Sequence, residues 1–411
     1  MHLRPILSTL FRNKTAPLLV AMQVAISLAI LCNALYVVNL RFVAAVRPSG
    51  IGEEQNMLRV GYYPIDQKTA EESRQLKYRQ KELLMAMPGV ASVALTNQTP
   101  FANSDSRTSI ATDNKQVQPT THAGEYESPD SLVKTLGLRL TEGRDFNEAD
   151  VIEVNPKKES GVRSKVVIVS QALAKIMYPD STSVIGKSLF FGSGSDAKEA
   201  QIIGVVETLI TPSAENALES NYTVISPIRN LERWSNFVIR TEPGQRDHIL
   251  AEVDEQIKKA GTGLVTIMST SIEKERARRY QADKALAWML IAVSALLLLV
   301  TASGIVGMST LWVTQRTKQI GVRRALGARK SDVLRYFITE NFLITTGGIV
   351  FGLLFALGVN QLLVSQFELP RLPLSYLFVA PFIFWLLGIC AVFAPAWRAA
   401  NISPSIATRS A

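Results

Sequence analysis

The stretch GVRRALGARKS, Gly321 to Ser331, has two glycines followed by Lys-Ser, the residue types of a phosphate-binding loop, in this 411-residue chain. A P-loop cradles phosphates on backbone N–H groups and needs Lys directly after its second glycine, on a turn that follows a strand. Here Ala328 and Arg329 separate Gly327 from Lys330, and the stretch connects two long apolar runs. It is not a nucleotide-binding loop. Other reactive side chains are sparse. His122 and His248 stand far apart with no HExxH spacing, and Cys32 and Cys390 lie inside apolar runs without a CxxC partner. No Ser/His/Asp set declares itself, so the sequence assigns no catalytic residue and no metal ligand.

The wider connector, Arg316 to Arg335, is strongly basic. Arg316, Lys318, Arg323, Arg324, Arg329, Lys330 and Arg335 are opposed only by Asp332. Four uncharged runs explain the setting: Ala16 to Val38, Ala285 to Val313, Asn341 to Phe367 and Leu372 to Ala396. Each exceeds the roughly 20 residues with which a helix crosses a hydrocarbon core. The first run is too long for a signal-peptide core of roughly 7 to 15 residues and reads as a retained anchor.

Charge then sets the orientation. Between Asn39 and Gln281 there are 30 basic and 31 acidic residues, whereas the rest of the chain holds 14 basic and 4 acidic. Of those 14, three precede the first run, seven lie in the connector Arg316 to Arg335, and Arg398 and Arg409 follow the last run. Lys and Arg accumulate on cytoplasmic flanks, which puts both termini and the connector inside and the long middle segment outside. A basic total gathered at membrane edges argues against nucleic acid as a partner.

The outer segment reads as mixed α/β. MLRVGYY (57–63), a helix over 68–87 stopped by Pro88-Gly89, and VASVALT (90–96) give a β-α-β unit. KVVIVS (165–170) precedes the helical QALAKIMYP, QIIGVVETL (201–209) reads as a buried strand, and NFVIRT (236–241) is followed by a helix over 246–260. Residues 97–121 read as a long loop or irregular hairpin. Some 240 residues can bury a core of their own and divide into two lobes. SIEKERARRYQADKALAW (271–288) contains no Gly or Pro and predicts one stiff helix running into the second span.

The fold class is therefore an α-helical membrane protein with four transmembrane helices and a large, two-lobed α/β extracytoplasmic domain. Residues 1–15, with Leu3, Ile6, Leu7, Leu10 and Phe11 on one face, form an interfacial amphipathic helix facing membrane lipids. The spans are 16–38, 285–313, 337–365 and 376–396. Between them lie the outer domain (39–281), the connector (316–335) and an external turn (366–375), with a cytoplasmic tail at 397–411. Glu340 is the exceptional ionisable group, a polar site at the membrane boundary. Gly348 and Gly352 form a small-xxx-small pair suited to close helix packing.

QIGVRRALGARKSDVLRYFITENF (319–342) resembles the signature of the FtsX-like permeases through Ile320, Gly321, Arg323, Arg324, Ala325, Gly327, Ala328, Phe337 and Glu340. Gln319 stands where that family usually has Glu. Pro395, Arg398, Ala399 and Pro404 are similar to the family's closing pattern. LGLRLTEGRDF, VVIVSQALAKIMYPDSTSVIGKSL and IIGVVETL resemble segments of a MacB-type periplasmic core.

The resemblance implies the permease subunit of a type VII ABC transporter in the bacterial inner membrane. It would pair with a second copy or a paralogue and with a separate ABC ATPase chain that binds ATP and Mg; this chain would bind no cofactor itself. With about fifteen residues ahead of the first span, no nucleotide-binding domain is expected to be fused here. ATP-driven motion of the outer domain would export substrate from the periplasm through a periplasmic adaptor and an outer-membrane duct. Two alternatives share the mechanics: activation of a periplasmic cell-wall hydrolase, and release of lipoproteins. A membrane-anchored enzyme lacks any site. Gly321 to Leu326 would be a coupling helix, with Ile320 and Leu326 as apolar anchors for the ATPase and Arg323 and Arg324 meeting its acidic rim or lipid phosphates. Gly321 and Ala328 would permit close approach, Gly327 would end the helix at positive φ, and Ser331 or Asp332 would cap the next one.

The charge split predicts that external labelling modifies a cysteine placed between Ser195 and Ser220 and spares one at Arg329. The reverse pattern would overturn the orientation.

Overall fold

The computed structural model describes residues 14–66, 68–102, 105–155, 158–159, 161–212, 219–232, 234–259, 263–367 and 371–401. The interfacial helix expected over 1–15 falls almost wholly outside these residues, as do part of the external turn and most of the tail. The chain forms two compact units, one of Met1–Val43 with Asp283–Ala411 and one of Ala44–Ala282.

The first helix, α1 (Thr15–Val46), runs past its expected end at Val38. In the second unit, β1 (Met57–Pro64), α2 (Ala70–Met85) and β2 (Val90–Leu95) follow in order. A capping box starts α2: the Thr69 side chain accepts from Glu72 N–H while Glu72 accepts from Thr69 N–H. The strands do not pair with each other as a simple β-α-β unit would have them. Their sheet has the order β13-β1-β12-β2, where β12 (Ser235–Thr241), α5 (Arg246–Lys259) and β13 (Leu264–Ser271) form a second unit of the same kind. Every neighbouring pair is antiparallel, so each helical crossover straddles one strand of the other unit, a double split βαβ.

Alternation sorts this sheet's side chains. Leu58, Val60, Phe237 and Ile239 pack under Leu84 of α2 and Ile249, Val253 and Ile257 of α5. Met57, Ala94 and Val238 point the other way.

The remaining strands are β3 (Arg107–Ala111), β4 (Thr121–Glu127), β5 (Leu140–Gly143), β6 (Ile152–Val154), β7 (Val166–Ser170), β8 (Ser188–Phe191), β9 (Lys198–Val206), β10 (Thr223–Ser226) and β11 (Ile228–Asn230). Short helices α3 (Leu132–Leu136) and α4 (Gln171–Met177) lie among them. The larger sheet runs β5-β9-β7-β10-β4-β3-β8, and β8 pairs back onto β9. Six strands thereby close into a barrel filled by Ile110, Val167, Val169, Leu189, Ile202 and Val224. Residues 97–121 resolve into the β3–β4 hairpin. Outward-facing Tyr126, Ile168, Val206 and Ile225 join Met57, Ala94 and Val238 in one core, which ties barrel to sheet.

The helix after β13 is not continuous, contrary to the reading of 271–288. Helix α6 (Ile272–Arg279) ends at Tyr280 (φ −96°, ψ 9°), and α7 (Gln281–Gln315) begins anew. Tyr280 is drawn aside into the domain core, edge-on to Phe101 at 6.3 Å. Helix α6 is held by its charges. Glu275 bonds Arg59 at 2.8 Å and Thr99 at 3.0 Å, and Arg276 bonds both oxygens of Glu54 through Nε (2.9 Å) and Nη2 (2.7 Å).

In the first unit, α7 is followed by α8 (Thr317–Ala325), α9 (Lys330–Phe367) and α10 (Leu374–Ala400). α1, α7, α9 and α10 are long and apolar enough to cross a membrane. Helix α7 buries a stripe of Ser294, Thr301, Ile305, Ser309 and Trp312, and Thr301 shares a 2.9 Å hydroxyl bond with Ser27 of α1. On α10, Trp385 stacks on Phe342 and donates to Thr346 Oγ1 at 3.1 Å.

Lys77 on α2 is buried, its Nζ donating to the Asn230 carbonyl at 2.7 Å. Burial pushes the ammonium down to about 8, against an opposing pull from Glu232. The unfolded chain therefore holds more protons above about pH 8, and stability rises with pH from there to the ordinary lysine range near ~10.4. At pH 7 the buried charge costs roughly 3 kcal/mol, while losing its hydrogen bond costs about 1–2 kcal/mol. Lys77→Met is expected to raise the thermal midpoint in detergent at pH 7, with the gain shrinking at pH 10. A midpoint below the parent's at both pH values would refute this.

Candidate coupling site

Helix α8 ends in a Schellman motif: Ala328 N–H bonds Arg323 O (3.0 Å) and Gly327 N–H bonds Arg324 O (3.2 Å). Gly327 supplies the left-handed residue this requires, at φ 98°. Helix α9 starts three residues later. Neither Ser331 nor Asp332 is its N-cap, because Arg329 occupies that position; Asp332 Oδ2 instead reaches back from the third helical residue to Arg329 N–H at 3.0 Å.

The two expected anchors face opposite ways. Leu326 is 83% exposed at the tip of α8, but Ile320 is only 6% exposed and packs into the helix bundle beside Val333 and Phe337. Ile320 is thus a core residue rather than an anchor, because at its point on the helical turn it faces α9. Val322, one turn before Leu326, is the apolar neighbour on the exposed side, at 45% exposure. Gly321 is buried beside Ile320, Arg324 is half-buried, and Ala328 lines a recess of about 210 Å³. Arg316, Gln319, Arg323, Asp332, Tyr336 and Phe337 complete that recess. The Arg323 guanidinium lies over the Tyr336 ring at 5.3 Å, and among the described residues no carboxylate pairs with it.

Glu340 is fully buried. Both its carboxylate oxygens accept from Arg316 Nη1, at 3.0 and 2.8 Å, and the same guanidinium stands 5.6 Å from the Trp312 ring centre. Twenty-four residues separate this pair, so no local spacing reveals it. Val322 was legible, since it stands four residues before Leu326. Gly348 and Gly352 lie against α1: a Cβ at Gly348 would stand 2.6 Å from Ala21 O, and one at Gly352 would stand 2.9 Å from Ala25 O.

Among the described residues no three His, Cys, Asp or Glu side chains gather as metal ligands. His122 shares a contact with Ser109, and His248 with Glu252. The site therefore offers an exposed apolar helical tip, a recess lined by Arg316 and Arg323, and a buried ion pair.

Residues 291–404 match the FtsX-like permease C-terminal family, and residues 22–260 match the MacB-like periplasmic core domain. The chain is 25% identical over 384 residues to the macrolide export ATP-binding/permease protein MacB of Agrobacterium fabrum, covering 90% of this chain and 56% of that one. The Bordetella avium protein of the same name is 27% identical, covering 66% and 40%. The uncharacterized ABC transporter permease YvrN of Bacillus subtilis is 24% identical, covering 69% of each chain. The chain spans about half the length of the MacB relatives it matches.

Because the glycine contacts are with α1 backbone, Gly352→Val is expected to force the helices apart and lower the thermal midpoint in detergent, at an overpacking cost of about 1–3 kcal/mol. Gly347→Val, with nothing within 4 Å of its added Cβ, is the control. Equal midpoints for the two variants would dismiss the packing role.

Proposed function

Because this chain belongs to the FtsX-like permeases that carry a MacB-like periplasmic core domain, we propose that it is the transmembrane permease subunit of an ABC transporter, working as a mechanical transmitter. An ABC ATPase binds MgATP and docks on α8. Hydrolysis there moves the four spans of each permease copy, and the outer domain follows. Substrate is exported from the periplasm toward an adaptor and outer-membrane duct, and the chain sits in the inner membrane as a dimer with cytoplasmic termini.

The observation that carries this reading is the exposed Val322–Leu326 pair on a short helix that ends at the Gly327 stop. An isolated basic loop would serve topology equally well, but it would not need an apolar tip or a positive-φ stop. YvrN, which this chain matches over 69% of its length, is named a permease alone, and we assign hydrolysis to a partner ATPase. Barrel and split sheet share one core, which favours an outer domain that moves as a unit.

Truncating a central apolar anchor costs about 2 kcal/mol, or roughly thirtyfold in affinity. Leu326→Ala is expected to weaken assembly with the co-purifying ATPase by that order, and Gly327→Val to do so by straining the helix stop. Assembly is measured in detergent after confirming membrane insertion. Wild-type assembly and hydrolysis in both variants would return the connector to a purely topological role.

A further inference from the structure

The break between α7 and α8 is a weak point in any path of force through this chain. Arg316 sits at that break with φ −103° and ψ 7°, outside both helices. A single residue between two helices bends easily, so a push on α8 would be absorbed there. Two bonds from Arg316 to the buried Glu340 oppose this, since Glu340 lies a full turn or more inside α9. The ring of Trp312, in the last turn of α7, flanks the same guanidinium. Three helices therefore meet at one side chain.

An ion pair this deep is an inefficient source of stability, because desolvation of both charges offsets their attraction. Direction is what the pair provides. Resting on the reading of this chain as an ATP-driven transmitter, we propose that Arg316 and Glu340 are positioning residues: they lock α8 to α9 so that displacement of α8 turns the spans instead of bending the α7–α8 joint. The recess beside Arg316 lies on the α8 side of that lock and would deform with it.

The test uses the full chain with its co-purifying ABC ATPase in lipid nanodiscs, comparing amide hydrogen exchange without nucleotide and after MgADP–vanadate trapping. Protection of residues 317–326 reports docking, and the nucleotide-dependent change within residues 44–282 reports transmission. The double variant Arg316→Gln/Glu340→Gln removes both charges together and so leaves no unpaired buried ion. It is expected to keep the protection of α8 and to lose the change in the outer domain. Retention of both signals would overturn the lock, because a merely structural pair would shift exchange around 316–340 without abolishing a distant response. If the double variant loses α8 protection, the same two readings apply to Arg316→Lys, which keeps the charge but not the planar fork. A wild-type complex with no outer-domain change would instead remove the transmitter reading on which the lock rests.

Discussion

Arg276 grips both places where the chain enters and leaves its α/β unit. Its guanidinium donates to the carbonyls of Ala45, in the last turn of α1, and Arg47, just after it, and to both oxygens of Glu54, while its own helix, α6, precedes α7. The ring of Phe101 lies 4.6 Å beneath it, so the charge is sandwiched between an aromatic face and five acceptor contacts. Arg is suited to this because its planar fork can satisfy several acceptors at once, where Lys would act as a point charge. Without that grip, two independent tethers would emerge from the domain. With it, the two chain segments share one anchorage within the unit.

The same logic of shared anchorage runs through the domain. A closed barrel has no free edge except where β5 is appended to β9, and the split sheet is stiffened because each crossover helix spans a strand of the other half. Met57, Ala94 and Val238 from one sheet and Ile168, Val206 and Ile225 from the other then fill a common core. Close-packed interiors transmit displacement because they cannot compress. Closing the ring through β8 and β9 encloses one of the domain's cores as well as pairing the strand edges.

The sequence made some of this plain and hid the rest for physical reasons. Hydropathy marks the four spans because a lipid-facing helix must be apolar over its whole length, and strands such as 165–170 and 236–241 stand out as β-branched runs. Gly327 was readable as a helix stop because only a residue without Cβ adopts that φ cheaply. The barrel was not readable: β8 contributes only four residues, and its pairing with β9 and β3 depends on contacts no window contains. Tyr280 broke a helix that composition favoured, since a core site for its ring outweighed local propensity. Ile320 looked like its neighbour Leu326 in type, but helical phase sent it inward. The Arg316–Glu340 pair joins residues on different helices, and neither residue's local context distinguishes it.

Gln319 brings these threads to the recess. The family resemblance places an acidic residue there, and a carboxylate at that position would share the recess with Arg323. In this chain the position is neutral, Arg316 is committed to Glu340, and Asp332 is turned toward the Arg329 N–H. Arg323 is left resting on Tyr336. A cation satisfied only by an aromatic face is readily available to a partner's carboxylate, since cation–π contacts are worth only about 0.5–2 kcal/mol. With Gln at 319, the recess holds no carboxylate from α8 beside Arg323, and the aromatic face of Tyr336 is the contact that faces its charge.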